Sequence, residues 1–282
     1  MTDTTTPPAS IHSARLMLEQ IRDSLPPDKQ TCIVAYSGGK DSWTILDLAF
    51  RTFGQGNIHA YNLYLVPDLE CELREIRKAE RRYSLTVHRL PHPGLHDALR
   101  SGHLQPLPTP FARKLHHADI YEYMRNLTGS DWIVFGHRID ESLQRRGMIK
   151  PHQGVMPKHR KCYPLWNWKA ADVFHYLKSS SIPAPEQYTE DDTTGMTLNA
   201  STLLYLRQKY PDDYRKVVEL FPLAEVQFIR EMQRIREGLP PTHYSLTRKK
   251  GLMESLNEYI KKSTATATIA LKGIAANDES TQ

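Results

Sequence analysis

A glycine turn between a strand-like run and a helix-like run constrains this chain more than any other feature. Residues 31–36 form a short β-rich run, the turn Ser37-Gly38-Gly39-Lys40-Asp41-Ser42 follows at once, and helical apolar spacing resumes over residues 41–53. Glycines let a backbone come close to an anion, and the first amide groups of a helix attract negative charge. We therefore predict a phosphate-binding loop at residues 37–42.

The side chains of this turn suit a phosphate group. Lys40 supplies a full positive charge, and the hydroxyl groups of Ser37 and Ser42 can donate hydrogen bonds. Asp41 would either cap the new helix or help to hold a metal ion such as Mg²⁺. The common P-loop needs glycine six residues before the lysine and Ser or Thr directly after it, where this chain has Val34 and Asp41. The turn therefore predicts a different kind of phosphate loop.

Strand-like and helix-like segments alternate over the first half of the chain. Strands are predicted at residues 31–36, 58–66, 85–90 and 132–136, and helices at 11–25, 41–53, 69–83 and 114–127. Such alternation predicts an α/β fold with a doubly wound, mostly parallel sheet and a ligand at the carboxyl ends of its strands. Residues 147–161 show no clear period and are predicted to form a loop, and residues 171–177 a short helix.

The chain is predicted to divide into four parts. Residues 1–10 and 259–282, which lack an apolar period, are expected to be disordered. Residues 11–188 would form the nucleotide-binding α/β domain, and residues 189–258 an all-α C-terminal extension. Within the extension, helical apolar spacing covers residues 198–210, 212–221 and 223–237.

Composition narrows the expected location and cofactors. No run of eighteen apolar residues exists and the N-terminus lacks a signal peptide, so we expect a cytoplasmic protein without a membrane partner. The three cysteines, Cys32, Cys71 and Cys162, form no CxxC pair. This pattern fits a reducing compartment and supplies too few thiolates for an iron–sulfur cluster, which we do not expect.

Three segments together resemble one family. Residues 37–42, after Ile33-Val34-Ala35-Tyr36, resemble the pyrophosphate (PP) loop of the adenine nucleotide α-hydrolase superfamily. Residues 136–146, Gly-His-Arg-Ile-Asp-Glu-Ser-Leu-Gln-Arg-Arg, resemble the Gly-x-Arg-x-x-Glu-Ser-x-x-Arg signature of the phosphoadenosine phosphosulfate (PAPS) reductase family. Residues 163–183 resemble the Pro-Leu-x-x-Trp to Ile-Pro segment that this family shares with the small subunit of ATP sulfurylase. The chain looks most like compact phage and prophage members.

The resemblance implies an adenine nucleotide, ATP or PAPS, laid across the strand ends with Mg²⁺. Arg138 and Arg145 would reach its phosphate or sulfate end, with Arg146 assisting, unless these arginines are solvated or pair with Glu141. Lys40, Arg138 and Arg145 would be the catalytic residues. The implied nucleotide-binding residues are Ser37, Gly38, Gly39, Lys40, Asp41, Ser42, Gly136, Arg138, Glu141, Arg145 and Arg146.

The chain departs from the family at its cysteines and at its second turn. Thiol-dependent members use a C-terminal Glu-Cys-Gly-type cysteine, whereas no cysteine follows Cys162 here. Cys162 follows Lys158-His159-Arg160-Lys161, and that charge would lower its thiol pKa, making it a candidate nucleophile or persulfide carrier; the alternative is a small packed residue. In the second turn, Asp68 or Glu70 would contact substrate or metal, or Asp68 would cap a helix.

A basic segment lies beside the proposed site. Residues 145–161 contain no acidic residue. The basic side chains in this segment are Arg145, Arg146, Lys150, Lys158, Arg160 and Lys161, with His152 and His159. This concentration favours a large anionic partner such as a nucleic acid, although a nucleotide with several charged groups accounts for part of it equally well.

Three functions remain open from the sequence. The first is an ATP-dependent transferase that cleaves between the α and β phosphates and adenylates an acceptor, in sulfur metabolism or nucleic-acid modification. The second is a sulfonucleotide reductase or sulfurtransferase that uses Cys162, an external thiol or a sulfur-donor protein. The third is a non-catalytic nucleotide sensor or DNA-binding regulator.

Overall fold

One six-stranded sheet forms the centre of the computed structural model, which describes residues 9–110, 113–183, 185 and 198–239. The strands are β1 (Cys32–Ala35), β2 (Ile58–Tyr64), β3 (Val87–Pro91), β4 (Ile133–Phe135), β5 (Val155–Met156) and β6 (Lys161–Cys162). Their spatial order is β3-β2-β1-β4-β6-β5, and only the β5–β6 pair is antiparallel. The predicted mostly parallel α/β sheet is confirmed.

Helices follow the strands in chain order. They are α1 (Ala9–Asp23), α2 (Lys40–Phe53), α3 (Glu70–Tyr83), α4 (Pro93–Ser101), α5 (His117–Thr128), α6 (Leu143–Ile149), α7 (Ala170–Ser179), α8 (Ala200–Lys209), α9 (Pro211–Leu220) and α10 (Pro222–Arg236). The three C-terminal helices confirm the predicted helical spacing in that region. No helix in the ranges described above is long and apolar enough to cross a membrane.

Two compact units make up the chain. Among the described residues, those up to 103 and those from 107 to 185 belong to the first unit, and residues 104–106 with 198–239 belong to the second. Helix α1 begins at Ala9, inside the segment 1–10 that was expected to be disordered. The remainder of that segment, residues 240–258 of the expected helical extension and the tail 259–282 lie outside the described residues.

Apolar side chains cover both faces of the sheet in the first unit. Along β1, Cys32 and Val34 belong to one buried cluster and Ile33 to another, because successive side chains of a strand point to opposite faces. Trp43 of α2 lies in the first cluster and Met124 of α5 in the second. A sheet buried on both faces leaves its strand ends as the place for a ligand.

The segment predicted as a loop, residues 147–161, is folded, so that prediction is wrong. It contains the end of α6, two short 3₁₀ turns, strand β5 and the first residue of β6. Each of these strands has two residues, too few to produce a visible period. Helix α4 was also missed, because Pro93 reads as a helix breaker although it occupies the first turn, where proline is tolerated.

A buried carboxylate connects three helices of the first unit. Asp47 of α2 is 2% exposed. It accepts hydrogen bonds from the hydroxyl groups of Tyr83 on α3 at 2.9 Å and Tyr176 on α7 at 2.6 Å, and from Arg51 at 2.6 Å. Burial, followed by the Asp47 charge, raises the pKa of both tyrosines. The two hydroxyl groups therefore stay protonated donors.

We predict that Asp47→Ala lowers the free energy of unfolding by about 2–4 kcal/mol, because it leaves two buried hydroxyl groups without an acceptor. Urea denaturation measures the change. Arg77→Ala is the control, since Arg77 and its partner Glu70 are 44% and 48% exposed and the loss of this surface pair should cost less than about 1 kcal/mol. Equal losses in the two variants would contradict this account of Asp47.

Candidate functional site

The predicted phosphate loop connects β1 to α2. Gly38 has a φ of +77°, which favours glycine. Gly39 is the N-cap of α2 with extended backbone, and as a glycine it provides no side-chain hydrogen bond to the helix. The Ser42 hydroxyl donates to the Gly39 carbonyl at 2.8 Å, and the Ser37 hydroxyl donates to Ser42 Oγ at 3.3 Å. Within the described residues, the N-cap therefore gives the first amide groups of α2 no side-chain acceptor, an arrangement that suits an anion.

Asp41 joins two cations at this loop. Its Oδ2 lies 2.7 Å from Lys40 Nζ, and its Oδ1 accepts a hydrogen bond from Arg138 Nε at 2.6 Å. The side chains of Lys40, Arg138 and Asp41 are 2%, 5% and 17% exposed, respectively. Cations this deeply buried are stable only when they are paired. We call Lys40, Asp41 and Arg138 the Asp41 ion network.

This pairing decides between the roles expected for Asp41. The helix-capping role is wrong, since Gly39 is the N-cap. A metal-ligand role is not supported either, because both carboxylate oxygens already face cations. Over the described ranges, no group of three or more His, Cys, Asp or Glu side chains is placed to hold a metal ion. The residues present therefore do not fit a Mg²⁺ site formed by the protein alone.

The loop after β4 lies directly against the phosphate loop. Ala35 at the end of β1 is in register with Phe135 at the end of β4, so the two loops begin side by side. A Cβ atom on Gly136 would lie only 2.8 Å from the backbone oxygen of Asp41. Glycine is therefore required at this position, and it allows Arg138 to reach Asp41.

Glu141 connects the arginines of the family signature. It accepts a hydrogen bond from the backbone N–H of Arg138 at 2.9 Å and pairs with the guanidinium of Arg145. Arg146 turns elsewhere and lies 3.7 Å from Asp140. The structure thus brings Arg138, Glu141 and Arg145 together beside the phosphate loop, and the expected pairing with Glu141 is present for both Arg138 and Arg145.

Cys162 has the opposite properties from those expected of a nucleophile. It is 0% exposed within β6. Burial raises its thiol pKa well above the ordinary value, so the predicted lowering by neighbouring charge is wrong. The charges lie elsewhere: Arg160 pairs with Asp131, and Lys161 Nζ lies 4.3 Å from the centre of the Tyr121 ring.

The two acids of the second turn form ion pairs with other residues. Asp68 has a φ of +56° and its Oδ1 accepts a hydrogen bond from Arg89 at 2.6 Å. Leu69, not Asp68, is the N-cap of α3, so the capping role is wrong. Glu70 pairs with Arg77. Both acids remain exposed, at 74% and 48%, so a contact of Asp68 or Glu70 with substrate stays a prediction.

The basic segment, residues 145–161, presents several exposed cations. Arg146, Lys150, Lys158 and Arg160 are exposed, whereas Arg145 and Lys161 are partly buried. Two of the exposed cations face acids from outside the segment, Arg146 with Asp140 and Arg160 with Asp131. The excess positive charge that faces solvent is therefore smaller than the sequence suggests.

His137 is a site residue that the sequence reasoning missed. Its ring stacks against Phe135 at 5.4 Å and Tyr163 at 5.9 Å. Burial, followed by the Arg145 charge, lowers its pKa from 6.5 to about 3. Its Nδ1 is buried and, within the described part of the chain, has no hydrogen-bond partner. Its position between Gly136 and Arg138 in the signature was the available signal.

We predict that His137 makes the free energy of unfolding decrease as the pH falls. The folded protein favours the neutral ring, so its stabilising effect is present above pH 6.5 and is lost as pH falls towards about 3. The loss from one such group reaches about 1.4 kcal/mol per pH unit. In His137→Phe, the free energy of unfolding should depend less steeply on pH over this window.

Urea unfolding at a series of pH values measures this slope. His175→Gln is the control, since His175 is exposed on α7 and its replacement should leave the slope unchanged. An identical slope in His137→Phe and the wild type would show that His137 does not stay neutral in the folded protein.

Similarity to solved structures is broad but low in identity. The chain aligns with an NH3-dependent NAD synthetase from Campylobacter jejuni at 12% identity, covering 83% of this chain and 97% of that chain, with a TM-score of 0.44. An FMN adenylyltransferase from Candida glabrata, solved with ATP, aligns at 18% identity. The alignment covers 67% of this chain and 60% of that chain, with a TM-score of 0.47. A U34-tRNA thiolase from Methanococcus maripaludis, solved with its [4Fe-4S] cluster, aligns at 13% identity. The alignment covers 82% of this chain and 80% of that chain, with a TM-score of 0.40.

Sequence comparison identifies the family. No curated protein matches the chain. The family model described as the phosphoadenosine phosphosulfate reductase domain matches residues 31–217. The match includes the phosphate loop, the Gly136 to Arg146 signature and Cys162. The chain therefore belongs to the phosphoadenosine phosphosulfate reductase domain family.

Proposed function

We propose that this protein binds ATP at residues 37–42 and cleaves it between the α and β phosphates, transferring the adenylyl group to an acceptor oxygen. The observation that carries this proposal is the Asp41 ion network beside a helix N-terminus without a side-chain cap. Amide groups and paired cations at one point form a site whose chemistry matches a polyphosphate.

Phosphate binding would replace the carboxylates that now pair with the cations. A phosphate oxygen can take the place of Asp41 beside Lys40 and Arg138, and of Glu141 beside Arg145, because the guanidinium fork matches phosphate and carboxylate alike. The buried cations would then remain paired throughout. Exchange of one anion for another costs less than leaving Arg138 buried and unpaired.

The chemical step follows from this placement. The acceptor oxygen forms a bond to the α phosphorus, and the bond from that phosphorus to the bridging oxygen breaks. Pyrophosphate leaves with the electron pair, and the acceptor loses its proton. Lys40, Arg138 and Arg145 would stabilise the charge that develops on the departing pyrophosphate.

A thiol-based reduction has less support. The sulfonate-attacking step needs an accessible thiolate, whereas Cys32, Cys71 and Cys162 are all buried. A sulfonucleotide reaction on this chain would therefore depend on an external thiol or a sulfur-donor protein. We keep it as the alternative, since family membership does not by itself define the reaction.

We predict that ATP binds and releases pyrophosphate, and that Arg138→Met weakens ATP binding by about tenfold or more, because a charge-assisted hydrogen bond is lost. Isothermal titration with ATP and with PAPS, both with magnesium, measures affinity, and a pyrophosphate assay measures turnover. Arg15→Met is the matched control, since Arg15 is 62% exposed on α1 and pairs with Glu19.

The outcomes separate the three functions. Tighter binding of ATP with pyrophosphate release supports adenylyl transfer. Tighter binding of PAPS, with turnover only when an external thiol is added, would replace it by the sulfonucleotide reaction. Nucleotide binding without turnover of either compound would favour a sensor.

We further propose that the basic segment binds a nucleic acid, which would be the acceptor of the adenylyl group or a separate partner. Lys150→Glu with Lys158→Glu should weaken binding of a single-stranded RNA oligonucleotide and lower its salt slope by about 1 to 2 units, as expected for lost phosphate contacts. Fluorescence anisotropy at several salt concentrations measures both quantities.

Lys29→Glu with Lys178→Glu changes the net charge equally and serves as the control, since both lysines are exposed and lie outside the basic segment. If both double variants weaken binding to the same extent, overall charge accounts for the effect and the basic segment is not a specific contact.

A further inference from the structure

His137 is fixed beside the phosphate loop by both of its chain neighbours. Gly136 packs against the Asp41 backbone, where an added Cβ would lie 2.8 Å from its oxygen. Arg138 donates to the Asp41 side chain at 2.6 Å. The position of His137 is therefore determined by the same contacts that form the Asp41 ion network, and the residue lies at the carboxyl end of β4, next to β1.

The imidazole ring is held in one orientation by aromatic packing. It lies within 30° of parallel to the Phe135 ring and within 25° of parallel to the Tyr163 ring. Buried nitrogen atoms almost always form a hydrogen bond, yet Nδ1 forms none with the described part of the chain. His137 is nevertheless partly exposed, and Nε2 is not among the buried atoms that lack a partner. Packing rather than hydrogen bonding thus orients the ring and leaves Nε2 for a ligand.

Within the described residues, charged and titratable groups of α2, α5, α6 and β6 act on this ring. Asp41 of α2 favours the protonated ring, whereas Arg145 of α6, His117 of α5 and Lys161 of β6 disfavour it. Burial has the largest effect, the cations add to it, and together they keep the ring neutral, with a pKa of about 3. A bound polyphosphate would offset the Arg145 charge, so the pKa of the ring would rise when the nucleotide is present.

We propose that His137 is a catalytic residue whose Nε2 accepts the proton of the attacking hydroxyl group. This inference rests on the proposed adenylyl transfer. The tautomer that carries hydrogen on Nδ1 leaves the Nε2 lone pair free. As the acceptor oxygen bonds to the α phosphorus, its proton passes to Nε2 and pyrophosphate leaves with the electrons of the broken bond. The imidazolium then lies near Asp41, whose negative charge stabilises it.

Replacement of His137 tests the proposal through turnover. The assay follows formation of AMP and pyrophosphate from ATP with magnesium, and water serves as the acceptor probe. In His137→Gln, kcat should fall by about 100-fold, the lower range for loss of a general base. The Kd for ATP should stay within about threefold of the wild-type value, since the phosphate contacts are retained. His175→Gln, on the exposed side of α7, should match the wild type.

The pH profile separates proton transfer from a structural role. In the wild type, kcat should decrease as pH falls through the pKa of His137 in the ATP complex, and this limb should be missing in His137→Gln. Added imidazole should partly restore His137→Gly. An unchanged kcat, an effect that lies entirely in Kd, or a retained acid limb would each overturn the proposal.

NMR gives a readout that does not depend on turnover. The ring Cε1–H signal of His137, assigned by its absence in His137→Gln, should titrate at higher pH with ATP bound than without it. No shift on saturation with ATP would overturn the proposal even if ATP were cleaved. If the wild-type protein binds ATP but releases no pyrophosphate, the proposed adenylyl transfer itself fails, and the role of His137 fails with it.

Discussion

The ion pairs of Asp41 with Lys40 and Arg138 connect the two loops on which the site depends. Lys40 belongs to the loop after β1 and Arg138 to the loop after β4, and both cations are almost completely buried. Because an unpaired buried cation is strongly unfavourable, the position of Asp41 determines how close the two loops come. Gly136 follows from this constraint, since any side chain there would collide with the Asp41 backbone.

The same pairing explains how the proposed nucleotide site is stable without a ligand. Asp41 and Glu141 provide negative charge to Lys40, Arg138 and Arg145, and in the proposed function a polyphosphate would take over this role. The cations therefore need no large rearrangement when one anion replaces another. The aromatic packing around His137 contributes in a different way, because it holds a neutral ring beside these charges without any hydrogen bond to Nδ1 within the described residues.

The burial of the three cysteines argues against a reaction that uses a thiol of this chain. Cys32 lies in β1 and Cys162 in β6, and both side chains belong to the same buried cluster. Burial raises the pKa of both thiols, which is the opposite of what a nucleophile needs. The basic residues before Cys162 do not alter this, because Arg160 pairs with Asp131 and Lys161 lies over the Tyr121 ring.

The sequence by itself determined the α/β class, the phosphate loop and the family. These depend on local patterns: strand-like runs with helical apolar spacing between them, a glycine turn, and motifs whose residues are close in the chain. The family signature at residues 136–146 could be recognised for the same reason, because its residues lie within one short stretch of the sequence.

Only the tertiary structure decided which of these residues meet and in what charge state. Asp41 and Arg138 are far apart in sequence and come together because β1 and β4 are neighbours in the sheet. The buried state of Cys162 and the neutral ring of His137 likewise result from the packing around them. Burial and the distance to other charges set a pKa, and both depend on residues that are distant in the sequence and close only in the folded chain.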